Sequence, residues 1–179
     1  MNTLPDLLEP GLDIVFVGIN PGRFSAETGH YFATPRNRFW PAINRSGLLD
    51  GPMSADDDRL ALRQGIGFTD VVKRPSSSAS DLRAADYRHG APALEARLRR
   101  FDPLIVCFHG MTGYRNYLKY AKGLKVVPEL GLQPHAIGRS TVFVVPNPSP
   151  ANAAFSLDTL VGWYQRLREL RDRLRQSRC

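Results

Sequence analysis

Apolar positions along this chain follow two rhythms. The runs "DIVFVG" (13–18), "LIVCFH" (104–109) and "TVFVVP" (141–146) are apolar almost throughout, the pattern of strands covered on both faces. "GFTDVV" (67–72) is a weaker run of the same kind, and "LKVVPE" (124–129) reads as a short edge element or a loop. Between these runs the period lengthens. Residues 37–47 have an apolar side, an early Pro and a Gly stop; residues 54–65 begin with Ser and an acidic first turn and end at Gly, both helical signatures. Residues 81–103 are helical on balance but broken by Gly-Ala-Pro, so the spacing predicts a helix restarting at Pro92 and ending at Phe101. A short helix is expected over 111–121. A longer one is expected from the Ser156 cap and Asp158, with period 3.6 to about residue 176. Strands alternating with helices predict an α/β fold, a parallel sheet covered by helices. Residues 74–82, "RPSSSASDL", read as a polar, mobile loop.

The 179 residues show no repeat, low-complexity tract or linker, so one domain over 1–179 is expected. No apolar run approaches membrane-spanning length, and the acidic start "MNTLPDLLEPG" does not resemble a secretory signal. Two cysteines, Cys107 inside an apolar run and Cys179 at the end, make no disulfide framework and fit a reduced, cytoplasmic setting. The net charge of +7 favours a polyanionic partner without identifying it. Much of the excess lies in "ARLRR" and "QRLRELRDRLRQSR", which read as solvated helix faces with internal ion pairs. Arg23, Arg36, Arg38, Lys73, Arg74 and Arg139 fall instead in expected loops.

Open α/β sheets bind ligands beyond the carboxyl ends of their strands. Two Asn-Pro turns fall there: "GINPG" after the first strand and "PNPSPANAAF" after the last. The glycines permit close backbone approach, while Pro21 biases Asn20 toward extended geometry. An amide held this way can orient a water or bond the edge of a pyrimidine; equally, it can simply close a turn. Phosphate-loop, nucleophile-elbow and metal-ligand spacings are absent: there is no Gly-x4-Gly-Lys, no Gly-x-Ser-x-Gly, and the four histidines are scattered.

Together, "GINPG…TGHYFATPRNRFW…GIGFTDVVKRP…LQPHAI…VVPNPSPANA" resembles the mismatch-specific uracil/thymine-DNA glycosylases, a branch of the uracil-DNA glycosylase superfamily. The likeness runs from about Leu7 to the final helix. It implies a three-layer α/β/α sandwich around a short, mainly parallel sheet. It also implies hydrolysis of the N-glycosidic bond of a damaged or mismatched pyrimidine in double-stranded DNA, especially in G:U mispairs. No metal or organic cofactor is implied. Asn20 matches the motif residue that orients the attacking water, Ile19 would offer backbone contacts to the base, and Phe32 matches the aromatic that stacks on it. Asn147, Pro148, Ser149, Pro150, Ala151 and Asn152 match the loop that presses into the minor groove.

The chemistry is consistent with that transfer. A base must leave the duplex before its glycosidic bond can be cut, and it is then held by stacking and edge hydrogen bonds. A leaving anion and a developing oxocarbenium need oriented dipoles more than a strong base. The chain departs from the pattern twice. Ala151 is small where family members often carry a larger apolar or Arg plug. Asp70 stands where an amide or Lys is usual: it is a candidate base or oxocarbenium stabiliser, or else a helix cap or a partner of Lys73 or Arg74. Ser25 and Tyr31 flank the expected pocket and can crowd the pyrimidine 5-position, where one methyl group is worth about 1–3 kcal/mol; uracil is therefore expected over thymine. His109 also falls at this edge, as a base or sugar contact or as a structural residue, and His135 reads as structural. A monomer is expected. Two rivals remain: a damaged-DNA binding protein of the same superfamily with little cleavage, and an unrelated nucleotide- or sugar-phosphate enzyme, which would lack a phosphate loop.

Overall fold

A computed structural model describes residues 3–178 of the chain, so Cys179 lies outside the described residues. Five strands form one sheet: β1 (Ile14–Gly18), β2 (Ile66–Asp70), β3 (Ile105–His109), β4 (Gly131–Leu132) and β5 (Thr141–Val145). Their spatial order is β2-β1-β3-β5-β4. All pairs are parallel except β4 with β5. Around the sheet lie α1 (Arg23–Thr28), α2 (Phe39–Ser46), α3 (Ala84–Phe101), α4 (Met111–Lys122) and α5 (Leu157–Ser177), with 3-10 turns over Ala55–Gln64 and Ala79–Asp81.

Strand alternation explains the three layers. Ile14, Phe16, Phe68, Cys107 and Phe143 face one side, where they pack with Phe39 and Ile43 of α2 and Tyr164 and Leu167 of α5. Val15, Val17, Val106, Phe108 and Val144 face the other, against Leu94 and Leu98 of α3 and Tyr114 and Tyr117 of α4. A strand that feeds two cores has no wet face, hence the unbroken apolar runs.

Three elements differ from the sequence expectation, and one open alternative is resolved. Helix α3 runs unbroken from Ala84 through Pro92. The small Gly90 lets its backbone press on β2's exit, and that packing outweighs the hydrogen bond Pro92 cannot donate. Residues 55–64 wind as 3-10 turns that bury only Asp58 and Ala61, so there is no apolar stripe to favour α geometry. Residues 124–129 take the loop alternative rather than the edge element: Val126 and Val127 are exposed, Pro128 cannot donate to a ladder, and the edge strand is β4. Finally, α1 occupies part of the expected loop; at six residues it is too short to show a period.

The register aligns Gly18 with Asp70 and His109 with Val145, so four parallel strands end along one edge. β1 lies between β2 and β3, and the connection from β1 to β2 packs α2 on one face while that from β2 to β3 packs α3 on the other, so a crevice opens there.

A Cβ on Gly90 would meet the Val71 carbonyl oxygen at 2.3 Å. Gly90→Ala should therefore lower unfolding free energy by about 1–3 kcal/mol, although alanine is the better helix former; urea denaturation measures it.

Candidate active site

At this edge lies a cleft of about 710 Å³, lined by the exits of β1, β2, β3 and β5 and by the aromatic segment after α1. Asn20 lines it. Its Nδ2 donates to the Arg74 carbonyl and to Ser76 Oγ, both at 2.8 Å. A carbonyl can only accept, so the amide orientation is fixed and Oδ1 is the atom left for the cleft. The Ile19 carbonyl is taken by the Val72 amide at 2.9 Å, and the Ile19 side chain packs toward α4.

Phe32 forms the opposite wall. Its ring stacks on Phe39 with centroids 4.2 Å apart and meets His109 edge-on at 5.2 Å. Its φ of 53° puts a non-glycine residue in the left-handed region, at a cost of roughly 1–2 kcal/mol. Neighbouring bonds hold this turn. Ser25, nearly buried, accepts from the Ala33 amide; the Tyr31 carbonyl accepts from Trp40 Nε1; the Tyr31 amide donates to buried Asp58, which His30 also contacts. Tyr31 donates its hydroxyl to the Pro5 carbonyl at 2.9 Å, and burial keeps that phenol protonated. Ser25 and Tyr31 both line the cleft.

Asp70 closes the floor. A Cβ on Gly18 would lie 2.6 Å from Asp70 Oδ1, so the glycine makes room for the carboxylate. Burial pushes the Asp70 pKa up to about 6, although Lys73 at 3.3 Å pulls it down. His109 is buried with Nε2 2.8 Å from the Tyr164 hydroxyl, and its Nδ1 has no hydrogen-bond partner among the described residues. Burial lowers its pKa to about 3, so the ring is neutral at physiological pH.

The loop after β5 is internally braced. Asn147 Oδ1 accepts from the Ser149 amide, and Asn152 Nδ2 donates to the Asn147 carbonyl. Arg38 clasps it from below, donating to the carbonyls of Ser149, Asn152 and Phe155. Asn147, Ser149, Pro150, Ala151 and Asn152 line the cleft. Pro148 does not: it is buried, its carbonyl accepting from the Arg38 amide, and so it stiffens the loop rather than facing a ligand.

Several sequence readings change here. Arg38, Lys73, Arg74 and Arg139 are engaged within the protein, the last three with Asp6 and Asp70, Asp86, and Asp102 respectively. Arg23 and Arg36 are exposed and carry no ion pair among the described residues. On α5, Arg168 and Arg171 donate to the carbonyls of Ser46 and Leu48, so this face is not merely solvated. Ser76 and Tyr164 carry no local sequence signal and Arg38 shows only its charge, yet each touches a residue of the cleft; Asp6, equally silent in sequence, reaches the cleft only through Lys73, which bonds Asp70.

Residues 5–170 match the Uracil DNA glycosylase superfamily. The chain belongs to this superfamily. Among solved structures, it resembles the solution NMR structure of a candidate uracil DNA glycosylase from Methanosarcina acetivorans, at 22% identity and a TM-score of 0.59. The match covers 93% of this chain and 98% of that one, a likeness of fold. The α/β/α arrangement expected from sequence is therefore the fold of this glycosylase chain.

A buried carboxyl with its pKa raised from 3.8 to about 6 favours the folded state when protonated. That contribution is complete below pH about 4 and is lost as pH rises through about 6. Asp70→Asn should thus gain stability relative to the parent by about 3 kcal/mol between pH 4 and pH 8; paired thermal melts at the two pH values measure the difference.

Proposed function

We propose that this chain is a mismatch-specific uracil-DNA glycosylase, cutting uracil, and related damaged or mismatched pyrimidines, from double-stranded DNA, chiefly opposite guanine. One observation carries the reading: a fixed Asn20 amide with its oxygen available, a buried Asp70 carboxylate and the Phe32 ring share one cleft beyond the strand ends. The Asn-Pro motifs at Asn20 and Asn147, in the register of that branch, favour it within the superfamily.

In this reading the pyrimidine swings out of the duplex and stacks on Phe32, with the 147–152 loop against the minor groove. Asn20 Oδ1 accepts a hydrogen bond from a water and aims it at the sugar C1′. The C1′–N1 bond breaks with its electron pair leaving on the base, the water oxygen bonds C1′, and Asp70 takes the water's proton. A carboxyl titrating near 6 is ionised at neutral pH yet basic enough to help. The neutral His109 adds a dipole and no charge. The rigid Tyr31, braced at Pro5, narrows the cleft and favours uracil over thymine. Of the loop cations, Arg23 and Arg36, exposed and without an ion pair among the described residues, are available to backbone phosphates, and the protein acts as a cytoplasmic monomer without a cofactor.

A labelled duplex with one U opposite G, treated with alkali after incubation, tests this. Strand scission is expected; it should fall about 100-fold or more in Asn20→Ala and in Asp70→Asn. Gel retardation without scission would replace the enzyme with a damage-binding protein of the same superfamily.

A further inference from the structure

We infer that Asp6 and Lys73 act as a pair of positioning residues that sets the charge of Asp70, Asp6 holding the Lys73 ammonium group partly away from it. The inference deepens the reading of Asp70 as acceptor of the water's proton and rests on it.

Lys73 Nζ stands 2.8 Å from Asp6 Oδ1 but 3.3 Å from Asp70 Oδ2. The shorter bond goes to the carboxylate outside the cleft. Asp6 also accepts from Thr69 Oγ1 at 2.7 Å, and its second oxygen faces Arg97 Nε at 3.2 Å. Arg97 in turn spends Nη2 on the Asp70 backbone carbonyl and on Thr69 Oγ1, not on the Asp70 carboxylate. Two cations thus lie beside Asp70, and Asp6 competes for both.

The groups facing Asp70 are few. They are Asp6 from the N-terminal segment, Lys73 from the exit of β2, Arg97 from α3 and the protonated phenol of Tyr31 from the segment after α1. From β1 comes only Gly18, which brings no charge. Asp6 and Lys73 are each about a quarter exposed, whereas Asp70 is almost wholly covered. The pair is therefore hydrated and Asp70 is not. A fully formed Lys73–Asp70 pair would leave a weak base. With no cation at all, the carboxyl would stay protonated at neutral pH. A shared lysine gives a state between the two.

The sequence alone supports none of this: Asp6 is sixty-four positions from Asp70. The Leu7–Phe68 backbone pair, with both bonds at 2.9 Å, pins the N-terminal segment alongside β2 and brings Asp6 to Lys73.

Two variants test the pair, Asp6→Asn and Lys73→Gln, each read by two measurements. The first is the pH dependence of single-turnover cleavage of the U:G duplex between pH 5 and 9. The second is titration of the Asp70 carboxyl carbon by ¹³C NMR, assigned by its loss in Asp70→Asn. Asp6→Asn should move both the acid limb and the carbon titration about one pH unit lower, and Lys73→Gln about one unit higher. Lys73→Arg should restore most of the parental profile. A buttress without electrostatic effect would lower rates equally at every pH and leave both midpoints in place; unmoved carbon midpoints in both variants overturn the inference. Carbon midpoints that move while the rate limb does not would keep the inference and remove Asp70 as the proton acceptor.

Discussion

The pairing of β1 with β2 continues past the strands, and the cleft depends on that continuation. The Val71 amide bonds the Gly18 carbonyl and the Val72 amide bonds the Ile19 carbonyl, each at 2.9 Å. The Ser76 amide then reaches the Pro21 carbonyl, and Asn20 closes the zipper with its side chain on Arg74 and Ser76. Two loops at a sheet edge would ordinarily fluctuate independently. Zipped together they become one rigid lip, carrying an amide and a carboxylate in fixed relation. Without a Cβ at Gly18, the carboxylate can lie directly against that lip.

The other walls are braced by the same means, polar groups spent inside the protein. Phe32 sits in an unfavourable backbone conformation because its neighbours are bonded to Ser25, Asp58 and Trp40. The loop after β5 is held by a guanidinium that donates to three carbonyls. A site that must exclude water and hold a flat ring gains from walls that do not move. Ordering these loops in the folded protein, before any ligand arrives, lowers the entropy left to lose on binding.

The sequence made the sheet legible because strands buried on both faces leave continuous β-branched runs, as at 13–18, 104–109 and 141–146. Asn20, Phe32 and the 147–152 loop were legible as motif positions, and they do share one cleft. What stayed hidden depends on contacts distant in sequence. Nothing around Ser76 shows that it would bond Asn20, fifty-six residues away. Arg38 read only as one more loop cation because only its charge is visible in sequence, while its carbonyl partners lie more than a hundred residues off. The unbroken α3 was equally hidden, because the fit of Gly90 on Val71 belongs to tertiary packing.

The two buried titratable groups at the floor are pushed in opposite directions by one cause. Burial lowers His109 to about 3 and raises Asp70 to about 6. Each shift follows from the cost of placing charge in a dry site. For His109 the result is permanent neutrality at working pH, with Nε2 on Tyr164. For Asp70 the result is a carboxylate that is charged at neutral pH, but only narrowly. In the proposed reaction, negative charge grows on the departing base while positive charge grows on the sugar. A second fixed anion would oppose the first, and a histidinium would oppose the second. A neutral imidazole and one carboxylate, the latter half-neutralised by a shared lysine, oppose neither strongly. The separation of pKa values also assigns the proton: of these two groups, only Asp70 can gain one and keep it briefly near pH 7.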